Sequence, residues 1–213
     1  MQVAKRLVQL DVDSTFIQQE AIELLAAKAG VLDEVSRVTE KAMRGELDFS
    51  ESLRARVSLL KGLPESVIAE VQREILLTDG AEELVRTLHS KGHCVALVSG
   101  GFSDILRTLV ESLGIHHYRA NKLGISNGTL TGTVEGEIVD RAAKAEALKT
   151  FAAECHVDLK DTVAIGDGAN DLDMMAIAGI SIAFNAKPIV VESADYAINE
   201  PTLNSVFDLI GEI

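Results

Sequence analysis

Residues 7–15 read Leu7-Val-Gln-Leu-Asp11-Val-Asp13-Ser-Thr15, an apolar run that ends in two carboxylates. Residues 162–171 read Thr162-Val-Ala-Ile-Gly-Asp167-Gly-Ala-Asn-Asp171 and repeat this arrangement far downstream. If both apolar runs are buried strands, their acidic ends meet at one edge of a sheet, where the charges repel and are costly to desolvate. A hard cation would hold such carboxylates together, so the two stretches predict a metal site.

The composition is typical of a soluble globular protein. The chain has 213 residues, of which 47% are hydrophobic and 25% charged, and this length suits one domain with a sizeable insertion. The formal net charge of −13 argues against nucleic-acid binding, because the phosphate backbone requires clustered cations. No apolar stretch reaches the roughly 18 residues of a membrane span. We therefore expect a cytoplasmic protein without nucleic-acid or membrane partners, and a homodimer is left open.

The cysteines and histidines give no sign of a metal or disulfide framework. Cys94 and Cys155 are few and far apart in the sequence, so we expect them to be reduced and to pack as small hydrophobic side chains. The histidines lack ligand spacing, and the pair His116-His117 is expected to be solvated.

Strand-like and helical patterns alternate along most of the chain, which predicts an α/β fold with a parallel sheet covered on both faces. The predicted strands cover residues 6–10, 95–99, 117–120, 162–166, 180–184 and 196–198. The main helical patterns between them cover residues 79–91, 104–113 and 142–154. In such sheets ligands bind beyond the carboxyl ends of the strands, where both acidic stretches fall.

Two segments interrupt the alternation. Between residues 17 and 78 only helical patterns occur, so we predict a helical-bundle cap over residues 17–78, inserted into a core formed by residues 1–16 and 79–213. The second interruption contains Asn127-Gly128, the sequence signal of a small β-hairpin.

Four motifs occur in a characteristic order along the chain. They are Asp11-Val-Asp13-Ser-Thr15, Ser99-Gly-Gly101, Lys144 and Gly166-Asp167-Gly-Ala-Asn170-Asp171. Together they resemble the signature of the haloacid dehalogenase superfamily of phosphohydrolases, which implies a Rossmann-like core, Mg²⁺ and an aspartyl-phosphate intermediate. Residues 16–20 and 42–56 are similar to the phosphoserine phosphatase branch. That likeness implies hydrolysis of O-phospho-L-serine, the last step of serine biosynthesis.

The carboxylates have the types and positions that phosphoryl transfer needs. Asp11 can attack phosphorus if a cation offsets its charge. Asp13 could protonate the leaving alkoxide and then activate water, and the resemblance also makes it a metal ligand through its backbone carbonyl. Asp167 is the expected remote Mg²⁺ ligand. Asp171 would either complete the metal shell or buttress it.

Phosphate contacts are expected from four groups. Ser99 and Gly100 bring a hydroxyl and free backbone N–H groups to the start of a helix. Lys144 also lies at a helix start, where a cation opposes the helix dipole and is tolerable if it faces phosphate and Asp11. Asn170 can donate to a phosphoryl oxygen.

The predicted cap contains candidates for substrate recognition. Arg56 lies on an apolar helical stripe with Phe49, and its guanidinium suits a substrate carboxylate. Glu20 lies beside apolar positions and could bind a substrate ammonium. The alternative is an internal Glu20–Arg56 salt bridge without a ligand. Met43 and Phe49 could shield the substrate from water, or could be core residues.

Other functions are compatible with the same motifs. The substrate could be another small amino-acid phosphate such as phosphohomoserine. A phosphotransferase would pass the phosphoryl group to a second alcohol instead of water. A non-catalytic, Mg²⁺-binding regulatory protein is the alternative from a different class, although it would have no need for both Asp11 and Asp13.

Overall fold

A seven-stranded sheet forms the centre of the protein. The computed structural model describes residues 5–43 and 46–210, with residues 42 and 43 described by their backbone alone. The strands are β1 (Leu7–Asp11), β2 (Cys94–Phe102), β3 (His117–Ser126), β4 (Thr129–Glu135), β5 (Thr162–Gly166), β6 (Ile180–Phe184) and β7 (Tyr196–Ile198). Their order in the sheet is β4-β3-β2-β1-β5-β6-β7. All neighbours are parallel except β3 and β4.

Helices connect and cover these strands. They are α1 (Ala21–Ala29), α2 (Leu32–Met43), α3 (Phe49–Ser58), α4 (Ser66–Glu74), α5 (Ala81–Ser90), α6 (Ser103–Leu113), α7 (Arg141–Glu154), α8 (Leu172–Ile177), α9 (Pro188–Val191) and α10 (Val206–Leu209). Within the described ranges no helix combines the length and apolarity that a membrane crossing needs. The predicted α/β class with a mainly parallel sheet is confirmed.

The central strand β1 is buried along its whole length. Its side chains alternate between the two faces, as a strand requires. Val8 and Leu10 pack in the layer that includes α5 and α6, whereas Leu7 packs in the layer that includes α7 and α8. A strand covered on both faces is apolar over most of its length; in β1 the exception is the buried Gln9, and the carboxylates begin only at the end of the strand.

The strand β3 is longer than the sequence predicted. It continues to Ser126 because its second half pairs with β4 in an antiparallel hairpin. Asn127 and Gly128 form the turn with φ angles of 51° and 73°, the left-handed values that a two-residue hairpin turn requires. The predicted hairpin is confirmed, and its partner strand explains the extra length.

The four helices α1–α4 pack against this hairpin rather than standing apart from it. Leu25, Leu53 and Leu130 share one buried cluster. Backbone hydrogen bonds add to the contact: Gly62 N–H donates to the Leu130 carbonyl at 2.9 Å, and the Leu130 N–H donates to the Leu63 carbonyl at 2.8 Å. The division into a core (1–16 and 79–213) and a cap (17–78) stays a prediction.

Cys94 and Cys155 form a disulfide, so the expectation of two separate, reduced thiols is wrong. The residues are 61 positions apart, but their Cα atoms lie 6.5 Å from each other, within the range that a disulfide spans. Cys94 begins β2 and Cys155 follows α7, and both lie at the amino end of the sheet. The two cysteines are distant along the chain but adjacent in the folded structure.

Candidate active site

The chain turns sharply directly after β1. In the segment Val12–Phe16, Asp13 has extended backbone angles and Ser14 has a left-handed conformation with φ 58° and ψ 5°. The turn is closed by a hydrogen bond of 2.9 Å from the Ile17 N–H to the Val12 carbonyl. A serine in this conformation is uncommon, and no sequence pattern announces it.

Three carboxylates converge at the carboxyl edge of the sheet, because β1 and β5 are neighbours with Leu10 opposite Ile165. Each of Asp11, Asp167 and Asp171 has a carboxylate oxygen within 4.8 Å of the others. Carboxylate oxygens in this number and spacing are the donor set that a hard divalent cation prefers. The residues present therefore fit Mg²⁺.

Asp171 already has partners for both of its oxygens. One oxygen accepts a hydrogen bond from Lys144 Nζ at 2.7 Å. The other accepts from the backbone N–H groups of Asp167 at 3.2 Å and Gly168 at 3.1 Å. Of the two roles left open by the sequence, this geometry favours that of a buttress, which leaves Asp11 and Asp167 facing the adjacent cavity.

Lys144 is fully buried between two carboxylates. Its Nζ lies 2.6 Å from Asp11 Oδ1 and 2.7 Å from Asp171 Oδ1. Gln9, in the middle of β1, donates to the Lys144 carbonyl at 3.2 Å and so ties the first turn of α7 to the strand. The position of Lys144 at a helix start is therefore balanced by direct ion pairs inside the protein.

Burial and like charges act strongly on the acidic groups. Burial raises the pKa of Asp11 well above its ordinary value, and Asp171 adds to the effect while the Lys144 ammonium opposes it. Burial and the charge of Asp171 raise the pKa of Asp167 to about 6. Burial alone would lower the pKa of Lys144, but the charges of Asp11 and Asp171 outweigh it and raise that pKa. A divalent cation would favour the ionised carboxylates.

Asp13 is held by donors on both oxygens. Oδ1 accepts from the Ala21 N–H at 2.7 Å, at the start of α1. Oδ2 accepts from the Ser99 hydroxyl at 2.7 Å, and the same hydroxyl accepts from the Gly101 N–H at 2.7 Å. Ser99 is fully buried, so in this structure its hydroxyl positions Asp13. The predicted contact of Ser99 with phosphate stays a prediction.

Gly100 lies beneath the ring of Phe49, the first residue of α3. A Cβ atom at Gly100 would lie 2.9 Å from Phe49 Cζ, so a side chain there would displace the ring. Asn121, which the sequence did not single out, donates to the Gly100 carbonyl at 2.8 Å and accepts from the Val139 N–H at 2.8 Å. This buried amide thus links Gly100, near the end of β2, to the segment before α7.

Glu20 and Arg56 face the same cavity but are not paired with each other. Ser14 donates its hydroxyl to Glu20 Oε1 at 2.7 Å, and Arg56 Nε donates to the Ser52 carbonyl at 3.3 Å. Among residues 5–43 and 46–210, no ion pair joins Arg56 to a carboxylate. The alternative of an internal Glu20–Arg56 salt bridge is therefore not seen.

Both side chains are partly desolvated in this arrangement. Burial and the nearby charge of Asp13 raise the pKa of Glu20 to about 7, although the hydrogen bond from Ser14 opposes the shift. Burial lowers the pKa of Arg56, against the charge of Glu20. Met43 ends α2, and its side chain lies outside what the structure describes.

A cavity of about 970 Å³ joins these groups. The predicted site residues that line it are Asp11, Asp13, Glu20, Phe49, Arg56, Gly100, Asp167 and Asn170. Lys144, Ser99 and Asp171 lie behind this surface and support it. Lys187 also lines the cavity, and its charge lowers the pKa of Asp167; sequence reasoning did not find it.

The known proteins that this chain is similar to include several named phosphoserine phosphatase. A phosphoserine phosphatase of Streptomyces coelicolor is 57% identical over 98% of this chain, which spans 51% of that protein. A phosphoserine phosphatase of Streptococcus thermophilus is 50% identical, with 100% of this chain and 99% of that protein covered. A solved structure described as a phospho-aspartyl intermediate analogue of phosphoserine phosphatase superposes with a TM-score of 0.92 at 44% identity, covering 98% of this chain and 100% of that one. Residues 8–176 match the haloacid dehalogenase-like hydrolases, and the chain belongs to that family.

Proposed function

We propose that this chain hydrolyses O-phospho-L-serine to L-serine and phosphate, the last step of serine biosynthesis. The observation that carries the proposal is the composition of a single cavity. One wall presents the carboxylates of the buried Asp11 and the half-buried Asp167, suited to a hard cation, and another presents Glu20 and Arg56, which are not paired with each other. The likeness to proteins named phosphoserine phosphatase supports the same substrate.

Asp11 is the proposed nucleophile. Its carboxylate would attack phosphorus and form a phospho-aspartate on this residue, as the likeness to a phospho-aspartyl analogue supports. Bound at Asp11, Asp167 and the Asp13 carbonyl, Mg²⁺ would neutralise phosphoryl charge. Lys144, 2.6 Å from Asp11, would hold the nucleophile in place and add positive charge beside the transferred group. Asn170 and the Gly100 backbone would donate to the remaining oxygens.

Asp13 is the proposed general acid and base. In the first step it would protonate the serine oxygen as that oxygen leaves, and in the second it would take a proton from the attacking water. The Ser99 hydroxyl at 2.7 Å would continue to donate to Oδ2 in both states, so that this contact does not take up the proton that Asp13 transfers. The Ala21 N–H at 2.7 Å keeps the other oxygen in place throughout.

Arg56 and Glu20 are the proposed readers of the amino acid. The guanidinium of Arg56 would pair with the substrate carboxylate in a forked geometry. The carboxylate of Glu20, held by Ser14, would bind the ammonium group. Phe49 and Met43 would cover the substrate and keep water out during the first step. Movement of residues 17–78 against the rest of the chain would admit the substrate.

The remaining proposals concern cellular context. A cytoplasmic location suits an enzyme that acts on a small soluble metabolite. A homodimer is tested by sedimentation of the purified chain over a range of concentrations. No nucleic acid or membrane takes part in the proposed reaction.

Phosphate release from a panel of esters tests the proposed substrate. We expect Mg²⁺-dependent release from O-phospho-L-serine that is at least tenfold faster than from O-phosphoethanolamine, which lacks the carboxylate. Comparable rates would reject Arg56 as a carboxylate reader. O-phospho-L-homoserine tests the longer amino-acid phosphate, and added glycerol tests transfer to an alcohol. No release from any ester would favour the regulatory alternative.

A further inference from the structure

A second group of metal-ligand residues lies at the opposite end of the sheet from the carboxylates. Ligand atoms of Cys94, His117 and Cys155 all lie within 4.8 Å of one another. Ser99 lies five positions after Cys94 on β2, a distance of about 16 Å along a strand. The group is therefore separate from the proposed catalytic site and does not depend on the proposed function.

The topology explains why these residues meet. Ala96 is opposite His117 across the β2–β3 pair, and Cys94 lies two residues earlier on the same face of β2. That face is the one covered by α7, since Ala96 and Phe151 share a buried cluster. Cys155 directly follows α7, so the end of the helix brings the second sulfur to the edge of the two strands.

The surroundings of the group suit a cation. His117 Nδ1 lies 3.0 Å from Glu154 Oε2, and a carboxylate beside the imidazole is the usual support of a metal-ligating histidine. The carboxyl end of α7 carries partial negative charge, which favours a cation at that position. His117 keeps 26% of its side-chain surface exposed and Glu154 keeps 53%, so an ion can reach the group from solvent.

We propose that Cys94, Cys155 and His117 form a second metal site, for a thiophilic divalent cation such as Zn²⁺, which exists only when the Cys94–Cys155 disulfide is reduced. Two sulfurs and one imidazole are a common ligand set for zinc, whereas the all-oxygen set at Asp11 and Asp167 suits Mg²⁺. Bond lengths of about 2.0–2.3 Å place tetrahedral zinc ligands about 3.4–3.8 Å apart, so small side-chain shifts suffice.

The exchange between the two states balances. Two equivalents of an external thiol reduce the disulfide, giving two cysteine thiols and one external disulfide. Metal binding then releases the two thiol protons to solvent and forms two metal–thiolate bonds. In the oxidised state the sulfurs are bonded to each other and provide no thiolate.

Co²⁺ titration of the whole chain tests the site. Reduced protein, kept free of oxygen and with excess Mg²⁺ to occupy the carboxylate site, should bind one Co²⁺ with a thiolate-to-cobalt charge-transfer band. Addition of Zn²⁺ should abolish that band, and oxidised protein should not develop it. Absence of the band from reduced protein, or its presence in oxidised protein, would overturn the proposal.

Three variants identify the ligands. Cys94→Ser should remove the charge-transfer band, and His117→Ala should weaken Co²⁺ binding by about tenfold or more while both thiols remain. His116→Ala is the matched control, since this exposed neighbour lies outside the group, and its affinity should equal that of the wild type. Unchanged binding in His117→Ala, which does not depend on the folding of the cysteine variant, would reject the site.

Discussion

The two charged walls of the cavity differ in how completely their charges are paired. Directly behind the first wall, Lys144 is fixed between Asp11 and Asp171 by contacts of 2.6 and 2.7 Å, and all three side chains are buried. On the second wall Glu20 is hydrogen-bonded to Ser14 and Arg56 to Ser52, but the two side chains do not form an ion pair with each other. Ion pairs that are already formed before the substrate arrives compensate for the cost of burying their charges in the folded protein. Charges without a partner are available to bind a ligand.

Replacement of Asp11 should have the largest effect on activity. Asp11→Asn keeps the shape of the first wall but removes the nucleophile, so kcat should fall by about 10³-fold or more. Asp173→Asn is the control, because this carboxylate lines the same cavity but is half-exposed and pairs with Arg141; its rate should stay within a few fold. Equal losses in both variants would contradict a covalent role for Asp11.

Replacement of Lys144 should remove the ion pairs behind the first wall. Lys144→Met leaves Asp11 and Asp171 buried without their cation, and the free energy of unfolding should fall by about 3–5 kcal/mol in urea titrations without Mg²⁺. Lys149→Met, on the same helix with 52% of its side chain exposed, should change it by less than about 0.5 kcal/mol. The double variant Lys144→Met/Asp171→Asn should recover part of the loss. A loss below about 1 kcal/mol in Lys144→Met would show that the pairing adds little.

Replacement of Arg56 should affect binding without affecting the fold. Arg56→Ala removes the proposed partner of the substrate carboxylate, so KM for O-phospho-L-serine should rise by roughly 30-fold or more. The effect on O-phosphoethanolamine, which has no carboxylate, should be small. Arg54→Ala is the control, since Arg54 is exposed on the same helix, and it should leave both substrates unchanged. An equal rise for the two esters would contradict the assignment.

The smallest effect should appear in the pH dependence of kcat/KM, which depends on the ionisation of Glu20 in the second wall. Burial raises the pKa of Glu20 to about 7, and the ammonium group requires the ionised form. Below pH 7 kcat/KM should therefore fall by up to about tenfold per pH unit, and Glu20→Gln should lose this component. Glu23→Gln, an exposed neighbour, should keep it.

The raised pKa of Glu20 also has a consequence for stability. The protonated form is favoured in the folded state, so the stabilising contribution of Glu20 is complete below its unfolded pKa near 4.5 and is lost as the pH rises through about 7. Urea titrations should find Glu20→Gln more stable than the wild type above pH 7, without a difference in acid. The opposite sign would show that Glu20 has a cationic partner in the free protein.

Much of the fold could be predicted because its signals are local. The apolar runs of β1 and β5 and the turn Asn127-Gly128 depend on few residues, and the structure has all three. The length of β3 could not be predicted, since it depends on pairing with β4 across the hairpin. The disulfide was missed for the same reason, because the ends of β2 and α7 meet only in the folded chain.

The candidate site was predicted in its residue types more than in its contacts. The order of the motifs placed Asp11 and Asp167 at one edge, where the structure has them. The hydrogen bond from Ser14 to Glu20 depends on a left-handed backbone at Ser14, which has no sequence signal. Asn121 supports Gly100 from a neighbouring strand, a contact that only the sheet order creates.

The hairpin has a consequence for how the cavity can open. Residues 62–65 are joined to it by backbone hydrogen bonds, including one from the Glu65 N–H to the Gly128 carbonyl at 2.8 Å. The two segments that connect α1–α4 to the rest of the chain, one before α1 and one after α4, meet where Ile17 pairs with Leu77. Helices α1–α4 are thus joined to the rest of the chain at these two points, and α4 is also bonded to α6, where Gln72 donates to the Asp104 carbonyl at 2.8 Å. A rigid rotation about residues 17 and 77 alone would break the hydrogen bonds to the hairpin. Movement of these helices to admit substrate therefore requires either that the hairpin moves with them or that the hydrogen bonds of residues 62–65 to the hairpin break.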